Sequence, residues 1–200
     1  MQIIQMNLLD MLDIYGADKC QHSLSSFTCP LNADVENFLH KQAITFATQH
    51  ITMTFLVFLE QDKELLLLGY YALTNKFVSI TCNNLSKTMQ RKIRKFSQYD
   101  TNLQRYLLSV PLIAQLGKNY SIPNISTYIS GTDLLNLACN RIIQVQRIIG
   151  GKMTYIECAS NDKLFEFYTS NDFFEFGVRE KESKTGTEES TLVQMIRYFK

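Results

Sequence analysis

Apolar residues recur at helical spacing in three parts of the chain, and each part predicts a helix. The first helix is expected over about 33–49, with Asn32 as its N-cap. The second is expected over about 131–149, ended by the two glycines that follow it, and the third over about 161–171. The apolar face of the second helix comprises Leu134, Leu135, Ala138, Ile142, Val145 and Ile149.

Short apolar runs bounded by polar residues predict the strands. The first two flank the polar turn Gln61–Glu64 and are expected to form a hairpin, whose second strand continues into 77–82. In the second half, strands alternate with the two later helices, and this order implies at least one parallel crossover. The predicted strands cover 52–60, 65–74, 110–117, 152–158, 173–180 and 191–199.

Five further segments have weaker patterns. Residues 1–20 indicate a short docking helix or a loose terminus, and residues 22–29 indicate a strand with a polar side. Residues 84–106 are rich in cations and are expected to form a basic helical insert. Residues 118–130 and 181–190 are polar and are expected to be loops.

Composition narrows the class of protein. The 200 residues suit one domain, or at most two small ones. A net charge of +1 does not hold a protein to nucleic acid or membrane, although a local patch can still act. No apolar run approaches the roughly 20 residues of a membrane span, and the first residues lack the basic start of a secretion signal. The five cysteines lie at least nine positions apart, which argues against a disulfide framework or a C-x-x-C zinc site and indicates reduced thiols in a cytoplasmic protein.

The common phosphate-loop, dinucleotide, zinc-protease and serine-hydrolase motifs are absent. The sequence SGTD at 130–133, where a loop enters a helix, permits two interpretations. Ser130 and Asp133 form a capping box, or the helix N-terminus binds an anion against the charge of Asp133. Asn161 and Tyr168 lie seven residues apart, about two turns, so they share one face of the third helix. Tyr168 alone fits a core role as well as a chemical one.

Together these features resemble the GNAT superfamily of acetyl-CoA-dependent N-acetyltransferases. Asn161 and Tyr168 fit the family pattern N-x-x-A-x-x-x-Y-x-x-x-G-F. Leu164 stands in place of the small residue of that pattern, and Asp172 stands where Gly is usual. The run L-I-A-Q-L-G at 112–117 resembles the fourth strand of the family.

The beginning of the chain resembles a narrower branch, which includes toxins of toxin–antitoxin pairs. That branch opens with F-x-C followed by L-x-x-F-L-x-x-x-A, and the matching residues are Phe27, Cys29, Val35, Phe38, Leu39 and Ala43. The whole resemblance covers about residues 20–180. The pyrophosphate loop departs from the family form Q/R-x-x-G-x-G/A. It falls on 126–131, where only the final Gly131 is retained and Ile129 stands at the middle glycine.

The resemblance implies an α/β (α+β) fold, with a mixed, V-splayed sheet of six to seven strands flanked by helices in one domain over 1–200. It implies acetyl-CoA as cosubstrate and transfer of the acetyl group to a primary amine by direct attack, with no metal. Tyr168 would be the general acid that protonates the departing thiolate, and Glu157 is a weak candidate for a base. The implied cofactor-binding residues are Leu116, Gly117, Lys118, Ser130, Gly131, Thr132 and Asn161.

The acceptor stays open between a small amine, a protein N-terminus or lysine, and the amino group of an aminoacyl-tRNA. The opening motif and the basic segment favour the tRNA alternative, a toxin-type activity. A non-catalytic binding module that kept the fold and lost acetyl-CoA is a further alternative, because the loop is altered. A homodimer is left open, and no membrane partner is expected. The cations that would contact tRNA are Lys87, Arg91, Lys92, Arg94 and Lys95.

Overall fold

The computed structural model describes residues 2–62, 64–81, 85–181 and 190–199. Its strands are β1 (Gln2–Asn7), β2 (Met53–Gln61), β3 (Glu64–Thr81), β4 (Gln98–Asp100), β5 (Arg105–Lys118), β6 (Met153–Ala159), β7 (Phe174–Lys181) and β8 (Ser190–Tyr198). Its helices are α1 (Leu8–Tyr15), α2 (Ala17–Leu24), α3 (Ala33–Lys41), α4 (Ala43–Thr48), α5 (Lys87–Ile93), α6 (Gly131–Ile149) and α7 (Asp162–Ser170). Among the described residues, no helix combines the length and the apolar character that crossing a membrane requires.

The strands form one mixed sheet in the order β1-β2-β3-β5-β6-β8-β7, and β4 pairs with β5. Strands β5 and β6 run parallel, with Leu112 opposite Tyr155, and α6 is the crossover between them. The pairs β1–β2, β2–β3, β4–β5, β6–β8 and β7–β8 are antiparallel. The predicted mixed fold, hairpin and parallel crossover are therefore confirmed. The sheet has eight strands, beyond the six to seven expected, because the pattern does not predict β1 and β4.

The chain divides into two compact units. The first unit comprises residues 1–74 and 113–141, and the second comprises residues 75–112 and 142–200. The divisions fall inside β3, β5 and α6. The single acetyltransferase-like domain over 1–200 stays a prediction.

The core of the first unit is built on the opening motif. Phe27, Val35 and Phe38 are buried there with Tyr70 of β3. The Tyr70 ring meets Phe27 edge-on at 5.2 Å and lies parallel to Phe38 at 6.3 Å. Its hydroxyl donates to the backbone oxygen of Val35 at 2.6 Å, so the one polar atom of this buried ring is satisfied. The opening motif therefore packs the core.

The second unit contains the antiparallel pairs of β6, β8 and β7. Glu157 and Gly177 both lie opposite Gln194 of the central strand β8, and the β7 register shifts between Glu175 and Gly177. This β-bulge gives β7 an extra residue, Phe176, whose buried ring contributes to the core. The predicted loop over 181–190 falls mostly on residues outside those that the structure describes.

The short helix predicted within the first twenty residues is confirmed in part by α1 and α2, and the strand predicted over 22–29 is wrong. Residues 2–7 form an edge strand rather than part of a helix, and 22–29 begin inside α2 and continue without a strand. Cys20 and Leu24, four positions apart, are both buried, which is the helical spacing of a core face. The serines of this segment do not form the polar face of a strand. Their hydroxyls donate to backbone oxygens of the preceding turn, as Ser25 Oγ does to the His22 oxygen at 2.6 Å.

The first predicted helix is confirmed in place but is two helices. Asn32 is the N-cap, with its side-chain oxygen accepting from the N–H of Asp34 at 3.0 Å. The helix predicted over 33–49 breaks at Gln42, whose φ of −124° leaves the helical region and divides α3 from α4.

The predicted helix over 84–106 is also wrong in extent. Only α5 forms, and Ile93 is the only residue of α5 that is buried. The chain then enters a β4–β5 hairpin, in which Tyr99 lies opposite Tyr106 with ring centroids 5.2 Å apart. The Asp100 carboxylate closes the hairpin turn by accepting from the N–H groups of Asn102 and Leu103.

The position and length of α6 are confirmed, but its predicted face is correct only in part. Val145 and Ile149 are 41% and 74% exposed, whereas Gln146 is buried. The Gln146 amide donates to the backbone oxygen of Met153 at 2.6 Å, so this polar side chain is satisfied inside the second unit.

Gly69 of β3 and Gly117 of β5 approach so closely that a side chain does not fit between them. A Cβ built on Gly69 would lie 2.6 Å from the backbone oxygen of Gly117 and 3.2 Å from the Cα of Lys118. Because these are backbone atoms, only a displacement of a strand could relieve the contact. We expect Gly69→Ala to lower the free energy of unfolding by about 1–3 kcal/mol in denaturant titration.

Gly177→Ala is the matched control for Gly69→Ala. Its added Cβ would meet the side-chain oxygen of Gln194 at 3.2 Å, the far end of a flexible side chain that need shift by only a few tenths of an ångström. We expect a smaller loss of stability in this variant. Equal losses in the two variants would show that backbone contact at Gly69 is not a constraint on the strand.

Candidate active site

The first candidate cofactor residues lie at the carboxyl end of β5. Gly117 is buried, and a Cβ there would lie 2.5 Å from Val35 Cγ1 and 3.3 Å from Phe27 Cζ. Leu116 and Lys118 are half-buried on either side of it. The core side chains of the opening motif therefore press directly on the strand that would bind the pantetheine.

Asn119 fixes the end of β5 and is a positioning residue that sequence reasoning misses. Its side chain is buried and donates to the backbone oxygen of Leu67 at 3.0 Å. Its side-chain oxygen accepts from the N–H of Thr28 at 3.0 Å and from Ser121. A polar residue directly after an apolar strand is the only signal in the sequence, and such residues are common in turns.

The Lys118 side chain reaches the loop that precedes α6. Its ammonium donates to the Ser126 hydroxyl at 3.0 Å and lies 5.6 Å from the centre of the Tyr120 ring. Ser126 is the position where the family loop carries Gln or Arg. The Lys118 ammonium, which comes from β5, therefore places a positive charge at this loop position.

Two buried isoleucines anchor the altered loop at 126–131 and the residue before it. Ile129, at the position of the middle glycine, is 1% exposed, and Ile125 is also buried in the short 3-10 helix Ile125–Thr127. Asn124 adopts the left-handed conformation at φ +55° where that helix begins. The Ile that departs from the family pattern is thus an anchor for the loop in the first unit.

The start of α6 forms the predicted capping box. Ser130 Oγ accepts from the N–H of Asp133 at 3.0 Å, and the Asp133 carboxylate accepts from the Ser130 N–H at 2.9 Å and its hydroxyl at 2.6 Å. The hydroxyl and backbone hydrogen bonds from Ser130 lower the pKa of Asp133. Since the Ser130 N–H is engaged in the cap, an anion at this terminus would depend more on Gly131 and Thr132.

Asn161 and Tyr168 belong to the second unit, on α7. The Asn161 side-chain oxygen caps the helix by accepting from the N–H of Lys163 at 2.9 Å. Tyr168 is half-buried between Phe167 and Phe173, with ring centroids 5.0 Å and 5.6 Å away. These two edge-on contacts hold the Tyr168 ring without burying it fully.

Glu157 of β6 lies in a polar network that sequence reasoning does not predict. Arg179 of β7 forms a two-point ion pair with it, at 2.6 Å and 2.7 Å, and Gln194 of β8 donates to it at 3.2 Å. The Tyr155 hydroxyl also donates to the Glu157 carboxylate. The i, i+2 spacing of Tyr155 and Glu157 on one strand is the only sequence signal for this pairing.

The network governs the protonation of Glu157. Burial raises the pKa of its carboxyl, but the hydrogen bonds from Arg179, Tyr155 and Gln194 outweigh burial and hold the pKa below its usual value. A carboxylate that is stabilised in this way is a weak proton acceptor. Glu157 is therefore poorly suited to the role of general base.

The cations proposed for tRNA lie on α5 and in the turn that follows it. Lys87, Arg91, Arg94 and Lys95 are exposed, and the Lys92 ammonium lies 4.6 Å from the centre of the Tyr198 ring. The four exposed cations can meet an anionic partner without first breaking a buried contact.

Solved structures of the AtaT toxin and of KacT share this fold. AtaT complexed with acetyl-methionyl-tRNAfMet gives a TM-score of 0.63 at 19% identity, over 96% of this chain and 94% of that one. A tyrosine-to-phenylalanine mutant of KacT gives 0.63 at 18% identity, over 97% and 94%. A mutant AtaT toxin bound to the C-terminus of the antitoxin AtaR and acetyl-CoA gives 0.58 at 17% identity, over 96% and 91%.

These similarities confirm the fold that the resemblance to the GNAT superfamily implies. No protein-family model and no curated protein sequence matches the chain. The match to the solved structures extends over nearly the whole chain, so the prediction of a GNAT-like fold holds beyond the segments that carry the motifs.

The Glu157 network gives a prediction for stability against pH. A carboxyl whose pKa is depressed in the folded state stabilises the fold above its unfolded pKa, about 4.3, and loses that contribution as the pH falls through the folded pKa. We expect Arg179→Met to lower the free energy of unfolding by about 1–3 kcal/mol at pH 7, because it leaves the carboxylate without its cation.

The loss should shrink as the pH falls below the unfolded pKa of glutamate, about 4.3. Denaturant titrations at pH 7 and under acid conditions measure it. Arg147→Met, which removes an exposed guanidinium from α6 of the same unit, is the matched control and should change stability little at either pH. A loss at pH 7 that persists unchanged in acid would contradict the assignment to Glu157.

Proposed function

We propose that the protein is an acetyl-CoA-dependent N-acetyltransferase that moves an acetyl group to a primary amine. The observation that carries the proposal is the fold shared with AtaT. One of the matching AtaT structures contains acetyl-CoA, and the match to it extends over 96% of this chain. The position of Asn161 at the start of α7 and of Tyr168 on that helix supports it. Because fold alone does not define a reaction, the proposal includes these two site residues, and the experiments below test them.

The cofactor-binding residues that we propose fit the chemistry of a pantetheine diphosphate. Leu116, Gly117 and Lys118 would pair with the pantetheine through the strand backbone. The start of α6, with Ser130, Gly131 and Thr132, offers N–H groups to a diphosphate. The Lys118 ammonium at the loop adds a positive charge beside them.

Asn161 also remains among the proposed cofactor-binding residues. Its side-chain oxygen is engaged in capping α7. Any contact with the cosubstrate would therefore use its amide N–H group.

The reaction is a direct transfer. The neutral amine attacks the thioester carbonyl carbon, the carbon–sulfur bond breaks, the nitrogen releases a proton to solvent, and the thiolate takes a proton. We propose that Tyr168 supplies that proton, since a phenol with a reference pKa near 10 is protonated at neutral pH. Positioning of the amine against the thioester contributes most of the remaining rate.

We further propose that the acceptor is the amino group of an aminoacyl-tRNA. The exposed cations of α5 support this choice, because phosphate contacts supply most of the affinity for RNA and need no net charge on the whole chain. AtaT, which shares the fold, has been solved with acetyl-methionyl-tRNAfMet. The cytoplasm is the proposed location, and the free thiols of Cys20, Cys29, Cys139 and Cys158 suit a reducing compartment. A homodimer stays a prediction.

A non-catalytic module with the same fold is the second candidate, and the altered loop at 126–131 favours it. That candidate predicts no change in melting temperature with acetyl-CoA. The acetyltransferase predicts stabilisation of about 2.7 kcal/mol when acetyl-CoA is present at 100 times its dissociation constant. Thermal unfolding with acetyl-CoA and with CoA therefore separates the two.

The α6 terminus gives a prediction for cofactor binding. Gly131→Val should weaken acetyl-CoA binding, because a side chain there would crowd the approach of the diphosphate to the backbone. Asp133→Asn should not weaken it, since this change removes a negative charge from the anion site while keeping a side-chain oxygen near Ser130. Isothermal titration calorimetry measures the affinity of both variants for acetyl-CoA. Unchanged affinity in Gly131→Val would show that the diphosphate does not bind at this terminus.

Tyr168 gives a prediction for turnover. Tyr168→Phe keeps the ring and its contacts with Phe167 and Phe173, so the fold should change little. Loss of the proton donor should lower kcat by roughly 10²–10⁴ while the dissociation constant of acetyl-CoA stays within a few fold. Tyr15→Phe on α1 is the control and should match the wild type. A Tyr168→Phe variant that keeps its turnover and melts at a lower temperature would assign the residue to packing alone.

A further inference from the structure

A cavity of about 280 Å³ opens in the second unit at the end of the basic segment. Phe96, which follows Arg94 and Lys95 directly, forms part of its wall, and the Phe96 N–H bonds to the Ile93 oxygen at the end of α5. The volume lies just below the roughly 300–1,000 Å³ of sites for drug-sized ligands. The cavity therefore suits one ring system rather than a whole cofactor.

The lining of the cavity combines apolar side chains with a few polar ones. Pro111 and Ile149 line it together with Phe96, whose side chain is 37% exposed. Asn75 and Ser109 present an amide and a hydroxyl, and the Asn75 amide is oriented by donating to Ser109 Oγ at 2.7 Å. A flat apolar ring beside oriented amide and hydroxyl groups is the combination that proteins use to hold an unstacked nucleobase.

The one charge among the described residues that line the cavity is positive. Lys152 lines the cavity, and none of the described residues that line it is acidic. Arg94 and Lys95 are exposed immediately before Phe96 in the sequence. An occupant that carries negative charge beside a flat ring is therefore favoured over a neutral metabolite, and a nucleotide within an RNA strand has that combination.

We propose that this cavity binds one unpaired base of the RNA acceptor, stacked on the Phe96 ring. The exposed cations of α5 and the following turn would hold the neighbouring phosphates, and Asn75 and Ser109 would contact the edge of the base. This proposal rests on the proposed tRNA acceptor and adds a base-binding subsite to it. Phosphate contacts position an RNA, whereas a base in a cavity fixes which nucleotide lies there.

The absence of tryptophan from the chain gives a direct test. Phe96→Trp places a single tryptophan in the cavity wall, and a base that stacks on it should quench its fluorescence when tRNA is added. Phe77→Trp is the matched control, since Phe77 is 77% exposed in the same unit and does not line the cavity. We expect quenching in the first variant and none in the second. Bound tRNA without quenching in Phe96→Trp would overturn the proposal.

Affinity for tRNA, measured by fluorescence anisotropy over a salt series, separates the base from the phosphates. Phe96→Leu should weaken binding by about tenfold at every salt concentration, with the slope of log affinity against log salt unchanged. Lys95→Gln should instead reduce the magnitude of that slope by about 0.7–0.9. Phe77→Leu should match the wild type in both affinity and slope.

The outcomes distinguish this proposal from the proposed function. A wild-type protein without salt-sensitive tRNA affinity would remove the tRNA acceptor, and the base-binding subsite with it. A wild-type protein that binds, with Lys95→Gln impaired and Phe96→Leu unimpaired, would remove the subsite alone and leave the acceptor in place. Thermal unfolding of each variant shows whether it is folded, so that tRNA affinities are compared between folded proteins.

Discussion

The buried amide of Asn119 is the contact on which the position of the end of β5 depends. The Asn119 side chain donates to the Leu67 oxygen of β3. It accepts from the Thr28 N–H of the opening segment and from the Ser121 N–H in its own turn. The backbone repeats two of these links, as the Asn119 N–H bonds to Leu68 and the Tyr120 N–H to Thr28. A fully bonded polar group in a core fixes one register, because each shifted arrangement leaves it unsatisfied.

That register explains why the opening motif and the site come together. With β5 held at Asn119, Gly117 lies under Val35 and Phe27, with no room for a side chain. Tyr70 then closes the same core and bonds to the Val35 oxygen. The residues that resemble the toxin branch are therefore the packing that positions the end of β5, and a substitution among them would act on the site through strand position.

The sequence predicts the parts of the fold whose periodicity is strong and whose neighbours are local. The β2–β3 hairpin and α6 are of this kind, and the cap at Asn32 follows from residue type alone. It does not predict β1, since an edge strand is specified by its pairing with β2 more than by its own six residues. The sequence also does not predict the ion pair of Glu157 and Arg179, because the two residues lie on strands that are both paired with β8 and not with each other.

The loop at 126–131 is ordered although it lacks the middle glycine of the family pattern. Glycines allow a backbone to approach a phosphate, but they also make a free loop costly to order. Here Ile129 is buried and the Ser130–Asp133 box closes the helix start, so the loop is ordered before any ligand arrives. The Lys118 ammonium reaches Ser126 from the strand and supplies a charge that the loop itself lacks. Preordering of this kind lowers the entropy lost on binding, which offsets part of what the missing glycines would have contributed.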